Sequence, residues 1–318
     1  VTRYQSTLEH LATHGYFAIA TESQGGLFPD HDAFANDLRF SLDFLEAENV
    51  RSGSRFRGAL AVGRYGASGH SMGGGASILA TARDARIRAV ANLAAAETDP
   101  SAIAAMRQIQ VPIRLVAGSA DTITPPSRHQ QPMYDAGGPP RQIPILQGGW
   151  HCGFQDVSSF GCDSGPMSRP TQLAYTRRLL TGFFNLHLKG DQLAWSGVWG
   201  PALASDNQIR TQSDPGFALT PGDQVVGAPA GSIAKFSLVL RNTGRAPTEY
   251  DVLTEGLRWR VIRPVVTKTL AVGESTTVTL SANVPPGTAP GDYPLVVSAR
   301  TRLDKATRAW ARVVFRVP

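Results

Sequence analysis

The sequence predicts an α/β domain built on a mostly parallel sheet, followed by a domain made of β-strands alone. Through about the first 195 of its 318 residues, helical and strand patterns alternate, as they do where helices cover both faces of a parallel sheet. From about Phe217 onward the apolar period drops to two and turn residues recur every few positions. Length agrees, since a chain of this size carries a prior of two domains. The expected boundaries are 1–195 for the α/β domain, 196–216 for a linker and 217–318 for the β domain.

TLEHLATHG, Thr7 to Gly15, reads as a short helix closed by glycine, and YFAIATES after it reads as a buried strand. AFANDLRFSLDFLEAENV places Phe34, Leu38, Leu42 and Leu45 at helical spacing. A strand over Arg64 to Ser68 runs into GHSMGGG, and GASILATARD leaves that turn as a helix. IRAVANLAA, PIRLVAGSAD and RQIPILQGG read as further strands, separated by helices in SAIAAMRQIQ and SRHQQPMYDAGG. The long helix TQLAYTRRLLTGFFNLHLKG carries Leu173, Leu180, Phe183 and Phe184 on one stripe. WSGVWGPALASDNQIRTQSDPG has no period and reads as a connection. FSLVLRN, VTKTL, TVTLSANV, YPLVVSART and WARVVFRV then read as strands of an antiparallel sandwich of immunoglobulin type.

Composition narrows the function classes. Apolar residues make up 42% and charged residues 18%, a globular balance. No run of about 18 apolar residues occurs, so no membrane span is expected. The net charge of +6 comes from scattered basic residues with no nucleic-acid motif, which argues against a nucleic-acid partner. Cys152 and Cys162 lack the spacing and neighbours of a zinc site, and no metal is expected. Two readings stand for the pair, a short-loop disulfide of an exported protein or two buried thiols. The first residue is Val1 rather than Met, so removal of a leader is expected.

The segment GHSMGGG, residues 69–75, holds one serine among Gly69, Gly73, Gly74 and Gly75. It matches G-x-S-x-G between a strand and a helix, the context of a nucleophile elbow that lifts a serine hydroxyl above a sheet. The N–H of Met72 and the positive end of the following helix would then face an incoming carbonyl. A phosphate-binding loop would carry a lysine after its glycines, and none is present. Serine needs a base, and the base needs an orienting carboxylate. Each is expected at the C-terminal end of a strand, in the order serine, acid, histidine. Asp121 ends one such strand and His151 follows another. Asp135, Asp156 and Asp163 are the rival acids, and the remaining histidines lie before the serine, beside it or on helices.

GHSMGGG, ADTITPP around Asp121 and GGWHCGF around His151 resemble the cutinase-like polyester hydrolases and their dienelactone-hydrolase-like relatives in the α/β-hydrolase superfamily. The resemblance covers about Tyr4 to His187 and implies Ser71 as nucleophile, His151 as base, Asp121 as orienting acid and Met72 N–H as an oxyanion donor. Where such relatives carry a tryptophan beside the ester, this chain has NLAAAETDP with Ala96 near that place. Trp150 and His70 are the other candidates for contact with substrate, Trp150 having simple packing as its alternative. In the family three strands precede the helix that here begins near Thr7, and the loop after the third supplies a second oxyanion donor. Either these strands are missing from a fragment, leaving a gap beside YFAIATES, or the flanking strands close against each other.

The implied function is a secreted, monomeric serine esterase that needs no cofactor and cleaves esters or polyesters such as cutin or poly(ethylene terephthalate). Its alternatives are a small-ester or lactone hydrolase, and an inactive remnant carrying a polymer- or surface-binding sandwich. Trp259 and Trp310 are the aromatic candidates for such binding, with core packing as the other reading.

Overall fold

The computed structural model describes residues 2–24, 29–263 and 268–318. The chain divides into two compact units, residues 1–213 and 214–318.

In the first unit a 3₁₀ turn, Thr2–Tyr4, leads into α1 (Gln5–Thr13), followed by α2 (His31–Val50), β1 (Tyr65–Ala67), α3 (Met72–Arg83) and β2 (Ile87–Leu93). Next come α4 (Ala102–Ala105), β3 (Ile113–Gly118), α5 (Gln130–Ala136), β4 (Arg141–Leu146) and α6 (Arg169–Lys189). The short helices α7 (Trp195–Val198) and α8 (Pro201–Ala204) precede β5 (Ile209–Asp214). One sheet runs in the order β1-β2-β3-β4-β5, with β1 to β4 parallel. β3 is buried along its whole length, as a central parallel strand must be when helices cover both faces. Asp30 caps α2 by accepting from Asp32 N and Ala33 N, and Ser168 caps α6 by accepting from Thr171 N.

Two expectations fail here. YFAIATES forms no strand: residues 16–20 have no regular structure, Phe17 and Ile19 stay substantially exposed, and β1 stands at the edge of the sheet with β2 as its neighbour. Apolar and β-branched content suits a strand, but a strand also needs a ladder partner, and this segment makes no ladder with β1 among the described residues. The two flanking segments have therefore not closed together. Both line a cavity of about 790 Å³.

Nor is 196–216 a linker. Trp195, Val198, Trp199, Leu203 and Ile209 are buried, and β5 completes the sheet. The anchor is polar and leaves no period in the sequence. Arg114, wholly buried on β3, donates to Gln142 Oε1 (2.6 Å), Leu179 O (3.0 Å) and Val198 O (2.8 Å). Gln142 Nε2 donates to the same Val198 carbonyl (2.7 Å) and to Ser213 Oγ (3.1 Å). Burial pulls the Arg114 guanidinium down to about 9, and its acceptors satisfy the charge it keeps.

The second unit contains β6 (Phe217–Thr220), β7 (Asp223–Gly227), β8 (Ile233–Asn242), β9 (Tyr250–Glu255), β10 (Arg260–Ile262), β11 (Ser275–Asn283), β12 (Gly291–Thr301) and β13 (Arg308–Val317). Two four-stranded sheets, β10-β11-β8-β6 and β7-β13-β12-β9, share one core in which Phe236 and Phe315 meet edge to face at 5.5 Å. Strict alternation of exposed and buried residues along β8 shows why its sequence reads as a strand. The pairing is antiparallel except between β13 and β7. Of the expected strand VTKTL, Val266 and Thr267 lie outside the described residues, and Leu270 forms only a bridge to Thr248. Trp259 packs on Tyr293 at 4.9 Å and on Phe315 at 5.6 Å, which ties its ring to the core.

Candidate active site

Ser71 sits between β1 and α3 with φ 57° and ψ −125°, a left-handed backbone that is costly for a residue with a Cβ. Its surroundings hold that conformation. Ser71 N donates to Leu93 O (3.1 Å), Leu93 N to Gly69 O (2.9 Å) and Ala96 N to Ser71 O (2.8 Å), so the turn is stitched to the end of β2. The glycines answer to crowding. A Cβ at Gly69 would lie 2.1 Å from Gly73 O, and one at Gly75 would lie 2.4 Å from Thr98 Cγ2, so α3 meets the sheet end at backbone distance. Met72 is the first residue of α3, where backbone N–H groups lack intrahelical acceptors, and it lines the cavity beside Ser71.

Asp121 and His151 lie in the loops after β3 and β4 and are both buried. His151 Nδ1 is 2.9 Å from Asp121 Oδ2. Because a carboxylate only accepts, the proton of this bond sits on Nδ1. Asp121 Oδ1 accepts from Ile123 N (2.9 Å) and Thr124 N (2.7 Å). Burial pushes the Asp121 carboxyl up, but the bonds and charge it meets at His151, with those from Thr124, outweigh this and hold it below the usual range. Ser71 and His151 line the same cavity, whose apolar wall includes Leu11, Phe17, Leu42, Leu45 and Phe184.

His70 also lines this cavity, yet both ring nitrogens are used within the protein. Tyr4 Oη lies 2.7 Å from Nδ1, and Nε2 lies 3.1 Å from the His151 carbonyl. A carbonyl only accepts, so Nε2 carries the proton and Nδ1 accepts from Tyr4. Burial, followed by the neighbouring His151, pushes His70 down to about 3, which keeps it neutral. The Tyr4 hydroxyl is pushed up to about 12, mainly by burial.

The remaining sequence candidates stand apart from the cavity. Trp150 is buried, donates from Nε1 to Met167 O (2.9 Å) and lies under the Arg169 guanidinium at 5.1 Å. Ala96 is buried, and its backbone serves the Ser71 turn. Neither is among the cavity residues. Cys152 and Cys162 are joined in a disulfide, the first of the two readings open in the sequence. No group of three or more potential metal ligands occurs among the described residues.

Three contributors had no clear signal in the sequence. Thr124 Oγ1 lies 2.9 Å from Asp121 Oδ2, 3.0 Å from His151 Nδ1 and 3.1 Å from Ala94 O, bracing the acid and the imidazole together. Gln172 on α6 accepts from Trp150 N (3.1 Å) and donates to Trp150 O (2.7 Å), fixing the peptide before His151. Tyr4 reaches His70 across 66 positions of chain. Thr124 alone had a local cue, lying three residues after a loop aspartate that can accept its N–H.

Residues 4–159 match the family described as PET hydrolase-like. The chain is 29% identical over 128 residues to "Cutinase est1" of Thermobifida alba, covering 40% of each chain. It is 30% identical over 137 residues to "Bis(hydroxyethyl) terephthalate hydrolase" of Streptomyces coelicolor, covering 42% of this chain and 41% of that protein. A third relative, "Cutinase est2" of Thermobifida alba, is 27% identical over 128 residues. The chain thus spans about 40% of the length of the curated relatives it matches.

Proposed function

We propose that the first unit, on an α/β-hydrolase fold, is a serine hydrolase of carboxylic esters, with polyesters among its substrates, a reading supported by the match of residues 4–159 to the PET hydrolase-like family and by the similarity to proteins named as cutinase and bis(hydroxyethyl) terephthalate hydrolase. The observation that carries the reading is the buried bond between His151 Nδ1 and Asp121 Oδ2 at 2.9 Å, in a cavity shared by His151 and a serine held at positive φ. His151 Nε2 takes the Ser71 proton as Oγ attacks the ester carbonyl, and the Met72 N–H receives the developing oxyanion. The imidazolium, stabilised by Asp121, returns the proton to the leaving alkoxide and releases the alcohol. Water then gives its proton to Nε2 and its hydroxide to the acyl carbon. Collapse of that second tetrahedral intermediate breaks the acyl–Oγ bond while Nε2 returns its proton to Oγ, which frees the acid and restores Ser71 and His151.

The polyester part rests on the relatives' names, and export on the disulfide, since such bonds persist in oxidising compartments. No helix among the described residues is long and apolar enough to cross a membrane. For the second unit we propose an immunoglobulin-type sandwich acting as a spacing module, a reading supported by the involvement of Trp259 in its core.

Hydrolysis of p-nitrophenyl butyrate by the chain and by Ser71→Ala tests the reaction, and release of acid from an insoluble polyester film tests the substrate class. Turnover that disappears in the variant is expected. Equal turnover in both proteins would remove Ser71 from the reaction.

A further inference from the structure

Asp163 is the acidic residue that the reaction as written leaves unused although it lies against both loops of the site. Its Oδ2 accepts from His151 N (2.9 Å) and Thr122 N (3.3 Å), and its Oδ1 accepts from Cys152 N (3.0 Å). Thr122 directly follows Asp121, so a single carboxylate spans the backbones that carry the acid and the base. It does not compete for the imidazole, whose Nδ1 is taken by Asp121 and Thr124. Its neighbour Cys162 is covalently joined to Cys152, the residue after His151. Asp163 is therefore tied back to the peptide groups it binds.

The opposite side of the same peptide is held as well, since the His151 carbonyl accepts from His70 Nε2 at 3.1 Å. Backbone N–H groups bonded to an ionised carboxylate form stronger bonds than neutral pairs do. Displacement of the His151 backbone would move its imidazole within the cavity it shares with Ser71.

We propose that Asp163 is a positioning residue for ester hydrolysis, holding the Asp121 and His151 loops in register so that His151 Nε2 is aimed at Ser71. The Cys152–Cys162 disulfide contributes by keeping Asp163 in place. This inference rests on the serine-hydrolase reading above. It predicts a defect in turnover rather than in substrate binding.

The test uses the full chain with Asp163→Ala, Asp163→Asn and Ser71→Ala. In Asp163→Ala, kcat for p-nitrophenyl butyrate falls about a hundredfold, the cost of a misplacement near 1 Å, while KM stays within about twofold. Asp163→Asn keeps one oxygen acceptor and recovers part of the loss. The low-field proton resonance of His151 Nδ1–H, assigned by its disappearance in His151→Ala, is sharp in the parent and broadened in Asp163→Ala. Unchanged kcat with an unchanged resonance would overturn the proposal, as would a kcat loss that only tracks the folded fraction. If the parent hydrolyses no ester, the serine-hydrolase reading fails, and the resonance still decides whether Asp163 positions the imidazole. Replacing both cysteines by serine should lower kcat in the parent and add no further loss to Asp163→Ala. Additive losses would overturn the role given to the disulfide.

Discussion

Two buried polar clusters, one in each unit, serve different ends. In the second, Asn242 turns its amide to the carbonyls of Ala246 and Leu270 and accepts from Gly244 N, closing a turn within an otherwise alternating sandwich. In the first, Asp121, His151 and Thr124 meet one another at the edge of a cavity, beside a serine and an alanine at positive φ. Polar burial that closes backbone stabilises a fold. Polar burial that converges on an ionisable pair builds a chemical site.

The comparison breaks most visibly if the pair proves dispensable. Asp121→Asn leaves the shape of the loop but favours the wrong imidazole tautomer, so kcat should fall by about 10⁴, read with a soluble p-nitrophenyl ester. Gly69→Ala forces a Cβ to within 2.1 Å of a backbone carbonyl. It should lower the stability of the first unit by about 3–5 kcal/mol, measured by chemical denaturation. Phe315→Ala should cost the second unit about 3–5 kcal/mol on the same measurement, yet move ester turnover by less than about twofold because no described residue of that unit lines the cavity. Thr124→Val removes one hydroxyl from the pair and should lower kcat about tenfold with little change in KM.

A further effect is on stability against pH. His70 titrates near 6.5 when unperturbed and near 3 when folded, so the unfolded chain binds the proton first as pH falls. Its contribution is fully present above about 6.5 and fades toward about 3. Asp121, also held low, loses its contribution in the same direction as pH falls through its folded value. Replacing His70 with glutamine should flatten the part of the slope that begins near 6.5, as read from denaturation midpoints across pH.

Much of this arrangement was legible. GHSMGGG announced a turn because only glycine fits at Gly69, and Asp121 and His151 could be chosen by their places after strands. The long helix α6 declared itself by spacing, and Leu173, Leu180, Phe183 and Phe184 are all buried. What escaped shares one physical character: contacts set by loops or single polar side chains, which impose no period. Thr124 and Asp163 reach the acid and base through turns, and Arg114 holds the segment after α6 by the Val198 carbonyl. Residues 16–20 misled in the opposite way, because a sequence fit for a strand carries no sign of whether a ladder partner waits beside it.

The most direct test is covalent. A p-nitrophenyl phosphonate should place one equivalent on the peptide bearing Ser71, detected by mass spectrometry, with labelling slowed strongly in His151→Ala. No labelling, or labelling of Ser71 at the same rate without His151, would contradict a serine activated by the buried Asp121–His151 pair.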